Sequence, residues 1–424
     1  MKTFYICSAN CIMRKLDSQR IYNYLVANGL CFTKDISNVD LIIITTCACR
    51  TSEEDEAIEA IKYFLKYKPK SSKIIITGCL PKINPTHLSK IGNFNMISPK
   101  ELDNFDNLIN AKIKFKSIPH SNEINDEIQD LPFNYRIEIN KFNELIKQFF
   151  NEFELNKSYF KRIIKRIFLE KNRILHKKNK EFCLVIGHGC LGNCSYCGIK
   201  FAVGRLKSRA LNDIIREFKK ELGKGYEFIY LIGEDVGAYG LDINTNFVEL
   251  LKNILEIKGN YKIRVMDFNP LWLIKYYPNL KYIFAKNHSK FDSLTLGVQS
   301  GSNRILKLMN RSYNIDNLKK CLYDLKNKMP NLKVILHIIV GFPTETRCDF
   351  EKTKDFINEF GFTDLVVNGY SDRSNTLSYR IKGKIDKRVI NRRVKELIKL
   401  RYKILKNQRE LRRKDKHKNP NFIE

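Results

Sequence analysis

The sequence has 424 residues, of which 43% are hydrophobic, and this is enough to bury a full core and to form two domains. It contains no run of about 18 or more apolar residues, and its N-terminus lacks the charged, apolar and small-residue segments of a secretory signal. We therefore expect a globular, cytoplasmic protein with no membrane partner.

The formal net charge is +30, which suggests a polyanionic partner such as RNA. Lys, Ile and Asn are frequent throughout the chain, however, so part of this charge is equally consistent with a solvated surface. The chain also has 12 cysteines. Cytosolic thiols are kept reduced, and a chain of this size does not need disulfides to fold, so metal ligation is the favoured use of the closely spaced ones.

In residues 1–105, buried strands alternate with helices, which predicts a parallel, flavodoxin-like α/β domain. The clearest strands are residues 41–46 and 73–77. Residues 51–54 resemble a capping box at the start of a helix that buries Ile58, Ile61 and Leu65. The alternation then stops, and residues 106–180 are predicted to be a linker with inserted basic helices, such as residues 159–176.

From residue 181 onward, short β-rich segments recur between helical ones. Six segments have this character: residues 182–186, 228–232, 262–266, 294–298, 334–340 and 365–367. Six β/α units predict an open, partial (β/α)6 TIM-like barrel over residues 181–385. In such barrels the chemistry takes place at the carboxyl ends of the strands.

Residues 386–424 are predicted to be a basic helical tail. Residues 382–418 include 17 Lys or Arg against 4 Asp or Glu. The apolar positions have helical spacing, which predicts that one face packs on the barrel while the other is basic. These positions are Ile390, Val394, Leu397, Ile398, Ile404 and Leu405. An RNA-binding surface and a solvated helix face both fit the basic side.

Three cysteines follow the first predicted barrel strand in one short loop: Cys190, Cys194 and Cys197. Their spacing lets three thiolates bind three irons of a cubane, which leaves the fourth iron without a protein ligand. An open iron can chelate the amino and carboxylate groups of S-adenosylmethionine (SAM). Structural zinc usually takes paired Cys-x-x-Cys knuckles, and no matching pair follows at that distance. The spacing therefore favours a [4Fe–4S] cluster.

Turn-rich loops also follow the second, fourth and fifth predicted barrel strands. Each of them alone is as consistent with an ordinary turn as with a binding site. Their shared position at strand ends, where small residues and a carboxylate can meet the cationic end of SAM, predicts cofactor contacts. The residues concerned are Gly233, Glu234, Asp235, Gln299, Ser300, Gly341 and Phe342.

Cys11, Cys47 and Cys79 each lie at or just after the end of a predicted strand in the first domain. Parallel strands end on the same edge of a sheet, so the three thiols can converge and hold a second cluster with one open iron. A buried cysteine is also commonly a small apolar core residue. The residues alone leave both interpretations open, and Cys49 is close enough to complicate the assignment.

The chain up to about residue 380 resembles the radical SAM methylthiotransferase family. The resemblance is strongest to the archaeal and eukaryotic branch that modifies N6-threonylcarbamoyladenosine in tRNA. The matching segments include residues 11–13, 46–48, 77–79, 189–197, 204–208, 233–235, 298–301, 309–311 and 339–343.

The resemblance implies that Cys11, Cys47 and Cys79 ligate an auxiliary [4Fe–4S] cluster, while the loop cysteines ligate the SAM-binding one. Tyr196 is expected to lie over the SAM adenine, as in other radical SAM proteins. Arg14 stands where the family usually has Asn.

The implied activity is insertion of sulfur into a C–H bond followed by its methylation, with two SAM molecules, an external electron donor and a sulfur donor. Family members usually end in an RNA-binding TRAM domain, and the tail after residue 386 does not match one. The predicted substrate is an adenosine of tRNA, and the alternative is a peptide or protein side chain. A non-catalytic iron–sulfur RNA-binding protein is a third hypothesis.

Overall fold

A computed structural model describes residues 2–9, 11–131, 180–360, 362 and 364–418. The chain divides into two compact units, residues 1–183 and 184–424. Residues 132–179, and with them the basic helices predicted at 159–176, lie outside the described residues. No helix in the described ranges combines the length and the apolar character needed to cross a membrane.

The first unit is built on a parallel sheet with the strand order β2-β1-β3-β4-β5, and a sixth strand also pairs with β1. The strands are β1 (Thr3–Ser8), β2 (Cys31–Phe32), β3 (Leu41–Thr46), β4 (Lys73–Gly78), β5 (Asn95–Ile97) and β6 (Gln129–Asp130). The order 2-1-3-4-5 is that of flavodoxin-like folds, which confirms the predicted fold class. All six residues of β3 are buried, as expected for a parallel strand covered on both faces.

The helices of the first unit are α1 (Ile12–Ala27), α2 (Thr51–Tyr67), α3 (Leu80–Ile83), α4 (Pro85–Ser89) and α5 (Phe105–Leu108). Two details of the α2 prediction were wrong. The N-cap is Arg50 and makes no side-chain cap hydrogen bond, so residues 51–54 do not form a capping box. Leu65 is 39% exposed, because the buried face of α2 is centred on Ala57, Ile61 and Phe64.

Residues 105–128 pack against the sheet of the first unit. Phe105, Phe115 and Ile128 belong to the same buried cluster as Phe4 and Tyr24. This part of the chain between the two predicted domains therefore contributes to a core.

The second sheet has the order β14-β13-β12-β11-β10-β7. Its strands are β7 (Glu181–Val185), β10 (Phe228–Ile232), β11 (Lys262–Phe268), β12 (Phe291–Gln299), β13 (Lys333–Val340) and β14 (Asp364–Gly369). Each pair from β10 to β14 is parallel. Sequential order with β7 and β14 at opposite edges defines an open, six-stranded partial barrel, as predicted.

A short antiparallel ribbon, β8 (Gly187–His188) with β9 (Lys207–Ser208), follows β7. The helices of the second unit are α6 (Ile199–Val203), α7 (Leu211–Gly223), α8 (Phe247–Leu255), α9 (Pro270–Lys286), α10 (Asn303–Leu308), α11 (Ile315–Lys328), α12 (Arg347–Phe360) and α13 (Lys387–Lys418).

Helix α13 packs on the barrel through one face. Ile390 fills the space beside Gly341 and Gly369, and Leu397 is fully buried. Arg401 binds Asp364, the first residue of β14, with its Nε 2.5 Å from Oδ1. The first half of the basic tail is thus part of the folded barrel.

Gly78, at the end of β4, is the basis of a first prediction. Its φ is +92°, and a Cβ there would collide with the carbonyl oxygen of Thr46 on the neighbouring strand. Gly78→Ala is therefore expected to lower the free energy of unfolding by about 2 kcal/mol or more, because backbone strain and a steric clash add. Urea denaturation followed by circular dichroism measures the change.

Gly29 provides the matched control, since its φ is +86° but a Cβ there would meet nothing within 4 Å. Gly29→Ala should cost only the backbone strain. Equal losses in the two variants would show that the close approach to Thr46 has no energetic importance.

A buried ion pair joins α13 to the loop after β13. The guanidinium of Arg393 binds the carboxylate of Glu345, and the two side chains are 7% and 1% exposed. The same carboxylate accepts a hydrogen bond from the Gly341 N–H at 2.7 Å. Burial nevertheless raises the pKa of Glu345 above its usual value.

Arg393→Ala is expected to lower the free energy of unfolding by about 3–5 kcal/mol, because it leaves Glu345 buried without its cation. A carboxyl whose folded-state pKa is raised contributes most stability at low pH and loses it as the pH rises through that pKa. The deficit should therefore shrink on acidification, as measured by denaturation at acidic and neutral pH. The control is Arg388→Ala, because the Arg388 side chain is 94% exposed. A loss of unfolding free energy in Arg393→Ala that does not change with pH would contradict this explanation.

Candidate active site

The three-cysteine loop lies at the carboxyl end of β7 and is anchored from outside itself. The Ser195 N–H donates to the Met309 carbonyl at 2.9 Å, and its hydroxyl donates to the Leu308 carbonyl at 2.8 Å. The Ser378 N–H in turn donates to the Ser195 carbonyl at 2.9 Å. Contacts from two distant segments therefore hold the loop in place.

Gly192 leaves room between two of the thiols. Its N–H donates to Cys190 Sγ at 3.1 Å, and a Cβ at this position would lie 3.2 Å from Cys190 Sγ and 3.7 Å from Cys194 Sγ. Burial raises the pKa of the Cys190 and Cys197 thiols. These thiols lose their protons when metal binds, so loading is coupled to proton release.

Within the described residues, no three His, Cys, Asp or Glu side chains are placed to hold a single metal ion. A cubane has a different requirement, because each thiolate binds a different iron and the ligands lie farther apart. The loop, with the space beside Gly192, fits a [4Fe–4S] cluster better than a zinc ion.

Arg311 places a cation beside this loop. Its Nη1 donates to Cys194 Sγ at 3.4 Å, and its Nη2 donates to Asn269 Oδ1 at 2.8 Å and to the Gly297 carbonyl at 2.6 Å. A cation here offsets the negative charge of thiolates. Sequence reasoning did not assign Arg311 to the site, although it lies in the matched segment 309–311.

Asp235, a predicted SAM contact, is buried beside the first cysteine of the loop. The Cys190 thiol donates to its Oδ2 at 3.9 Å, and the Trp272 Nε1–H donates to the same oxygen at 2.9 Å. Oδ1 is buried and has no partner among the described residues. Burial raises the pKa of Asp235 to about 6. An unpaired buried carboxylate oxygen fits an ammonium group such as that of SAM.

The other residues predicted to contact SAM at strand ends lie in different local environments. Glu234 Oε2 accepts from the Gly189 N–H at 2.8 Å and so braces the loop. A Cβ on Gly233 would lie 3.1 Å from the Gly187 carbonyl. Gln299 has a φ of +72°. Ser300 is fully buried, and its hydroxyl accepts from the Ser302 N–H at 3.1 Å. Their roles as cofactor contacts stay predictions.

Tyr196 and Phe342 are brought together by the fold. Phe342 is fully buried with Ile305 and Met309, and Tyr196 packs against this cluster. Gly341, with a φ of +79°, precedes Phe342 and makes the turn out of β13. These side chains form an apolar wall beside the cysteine loop, which is the surrounding that an adenine ring requires.

In the first unit, Cys11, Cys47 and Cys79 lie at one edge of the sheet. Thr46 and Gly78 are in register, so the cysteines that follow them are neighbours. Cys11 directly precedes α1. Hydrogen bonding with Cys49 and burial raise the pKa of Cys47, and the nearby thiols of Cys49, Cys11 and Cys79 raise it further.

Two more side chains share this edge. Cys49 Sγ lies 3.4 Å from Cys47 Sγ. Arg14 is buried, with Nη1 3.9 Å from Cys79 Sγ and Nη2 3.2 Å from Asp17 Oδ2. The edge therefore combines four thiols with a cation that can offset thiolate charge, which fits an iron–sulfur cluster.

Comparison with known proteins gives two matching family models. Residues 184–357 match the radical SAM superfamily, and residues 3–97 match the uncharacterized protein family UPF0004. Among solved structures, the radical SAM methyltransferase TsrM from Kitasatospora setae has a TM-score of 0.56 at 13% identity, over 89% of this chain and 77% of that one. At this identity the likeness shows the fold alone. The fold and the family match define a radical SAM enzyme.

Curated relatives point to a more specific activity within the radical SAM class. The chain is 26% identical to a tRNA-2-methylthio-N(6)-dimethylallyladenosine synthase of Carboxydothermus hydrogenoformans, over 94% of this chain and 83% of the relative. It is 28% identical to a probable threonylcarbamoyladenosine tRNA methylthiotransferase of Pyrococcus horikoshii, over 90% and 80%. It is also 28% identical to the ribosomal protein uS12 methylthiotransferase RimO of Thermotoga petrophila, over 93% and 82%.

The chain combines a radical SAM domain with a UPF0004 domain, and it is similar over nine-tenths of its length to radical SAM methylthiotransferases. It is thus an enzyme whose cofactors are two [4Fe–4S] clusters and SAM. The hypothesis of a non-catalytic iron–sulfur protein was wrong, because the relatives are enzymes.

Proposed function

We propose that this enzyme methylthiolates an adenosine of tRNA that carries an N6-threonylcarbamoyl group. The observation that carries the proposal is the second group of thiols, Cys11, Cys47 and Cys79, which the first sheet collects at one edge. The relative from Pyrococcus horikoshii, described as acting on threonylcarbamoyladenosine in tRNA, supports this substrate, as does the net charge of +30.

The residues of the barrel have distinct roles in this proposal. Cys190, Cys194 and Cys197 bind three irons of one cluster. Asp235 accepts a hydrogen bond from the ammonium group of SAM through Oδ1, and Arg311 offsets the charge of the thiolates. Tyr196, with Phe342 and its buried neighbours, provides the apolar wall for the adenine.

In the first unit, Cys11, Cys47 and Cys79 bind the auxiliary cluster, and Arg14 lies beside them as a cation. When bound, the two clusters and SAM supply the electron transfer, the hydrogen abstraction, the sulfur and the methyl group. The chain needs an external electron donor and a sulfur donor as partners. Its cysteines must stay reduced to ligate iron, which is consistent with a cytoplasmic location.

Nucleoside analysis of tRNA tests the substrate. Total tRNA from a deletion strain should lack the 2-methylthio form of threonylcarbamoyladenosine, and expression of the wild-type chain should restore it. A strain that expresses Cys194→Ala should resemble the deletion strain. Unchanged methylthio nucleosides in the deletion strain would disprove the tRNA assignment.

The second candidate is methylthiolation of a protein side chain, which the likeness to the uS12 methylthiotransferase of Thermotoga petrophila favours. Mass spectrometry of ribosomal proteins from the same deletion strain distinguishes the two functions. Loss of a methylthio mass from a polypeptide, with unchanged tRNA nucleosides, would establish the second one.

A further inference from the structure

Helix α13 has two faces of different chemistry. Ile390, Arg393 and Leu397 lie on the face that contacts the barrel. The opposite side carries basic residues spaced three or four apart, and at 3.6 residues per turn they fall in one row about 27 Å long. This basic row consists of Arg388, Arg392, Lys395, Lys399, Lys403 and Lys406.

Carboxylates are almost absent from the basic row. Asp386 and Glu410 lie only at its two ends, where Arg388 Nε is 3.2 Å from Asp386 Oδ1. Glu396, the acidic residue within this stretch, binds Arg347 of α12 at 2.9 Å and lies 3.8 Å from Lys354 of the same helix. Lys406 Nζ lies 3.9 Å from Glu410 Oε1 at the other end of the row. The row therefore carries six cations, and the acidic residues of the same stretch are Asp386, Glu396 and Glu410.

Some lysines of the same unit are arranged differently. Just after α7, and in α8 and α11, lysines pair with carboxylates three or four residues away: Lys224 with Glu221, Lys252 with Glu249, and Lys328 with Asp324. The basic row instead places six exposed or half-exposed cations in one line along a single helix.

The basic row begins near the end of the barrel that bears the cysteine loop. Ile390 packs against Gly341, just after β13, and against Gly369, the last residue of β14. Arg401 instead reaches Asp364, at the start of β14. The helix therefore runs antiparallel to β14, and Arg388 and Arg392 lie at the carboxyl ends of the strands.

We propose that the basic row binds the phosphate backbone of the substrate tRNA, an inference that rests on the proposed tRNA function. A regular line of cations matches a regular line of phosphates, and such contacts position RNA without reading its sequence. An anionic membrane is a poorer match, because the apolar side chains that would enter it are packed on the barrel. The row orients the RNA, and the barrel site selects the base.

The test compares two variants of the full-length protein. The row variant carries Arg388→Gln, Arg392→Gln, Lys399→Gln and Lys403→Gln, and glutamine keeps the helix propensity. The control variant carries Lys219→Gln, Lys220→Gln, Lys258→Gln and Lys262→Gln, which removes the same charge from exposed positions of the same unit. Binding of unfractionated tRNA is measured by fluorescence anisotropy over a range of salt concentrations, and circular dichroism confirms that both variants fold.

The row variant should bind tRNA roughly tenfold or more weakly, and the slope of log affinity against log salt should become shallower by about three. The control should remain close to wild type. Equal losses in both variants would reduce the effect to net charge and overturn the proposal, as would unchanged binding by the row variant. Loss of binding to anionic vesicles or polyglutamate, with tRNA binding retained, would also overturn it.

A different experimental result would reject the proposed function. A wild-type protein that binds no tRNA, together with unchanged tRNA nucleosides in the deletion strain, would reject the substrate itself. A row variant that binds and modifies tRNA normally would reject only the basic row.

Discussion

Cys194→Ala is expected to remove the SAM-binding cluster and to abolish SAM cleavage. With one thiolate missing, a cluster held by a single short loop loses a third of its protein ligands, and Arg311 loses the thiolate to which it donates. The variant should contain about four irons fewer per chain after anaerobic reconstitution. Production of 5′-deoxyadenosine from SAM under strong reductant should fall to the level of the iron-free protein.

The matched control is Cys348→Ala, which removes an exposed cysteine from α12 of the same unit. It should retain the full iron content and full SAM cleavage. A Cys194→Ala protein that keeps its iron and still cleaves SAM would refute the assignment of the three-cysteine loop.

Cys47→Ala is expected to separate SAM cleavage from formation of the methylthio product. It should also lose about four irons per chain, this time from the auxiliary cluster. SAM cleavage should persist, because the cysteines of the barrel are intact, but no methylthio product should form. Iron analysis, 5′-deoxyadenosine production and nucleoside mass spectrometry on one preparation measure these three outcomes together.

Cys49→Ala is the informative control, because Cys49 lies 3.4 Å from Cys47 and is more exposed. We expect it to keep about eight irons per chain, four for each cluster. If Cys49→Ala loses as much iron as Cys47→Ala, Cys49 is a ligand and the group of Cys11, Cys47 and Cys79 is incomplete.

Local patterns accounted for much of the fold. The clearest strands, such as β10, are continuous apolar segments, and the buried run of β3 is visible in the printed sequence. The rule that parallel strands end on one edge also led from Cys47 and Cys79, far apart in the chain, to a shared position. Helix α2 shows the limit of such reasoning, because small rotations about its axis decide whether Phe64 or Leu65 faces the core.

The amino-acid sequence was sufficient to determine the positions of the clearest strands along the chain, the spacing of Cys190, Cys194 and Cys197, and the amphipathic pattern of α13, because each depends on neighbours within a few residues. Only the tertiary structure decided the partners of Asp235 and Arg311, the burial of Ser300, and the residues of the barrel that Ile390 and Arg401 of α13 contact. Those features arise from contacts across the barrel, where the identity of a partner depends on distance in space and has no fixed separation in the chain.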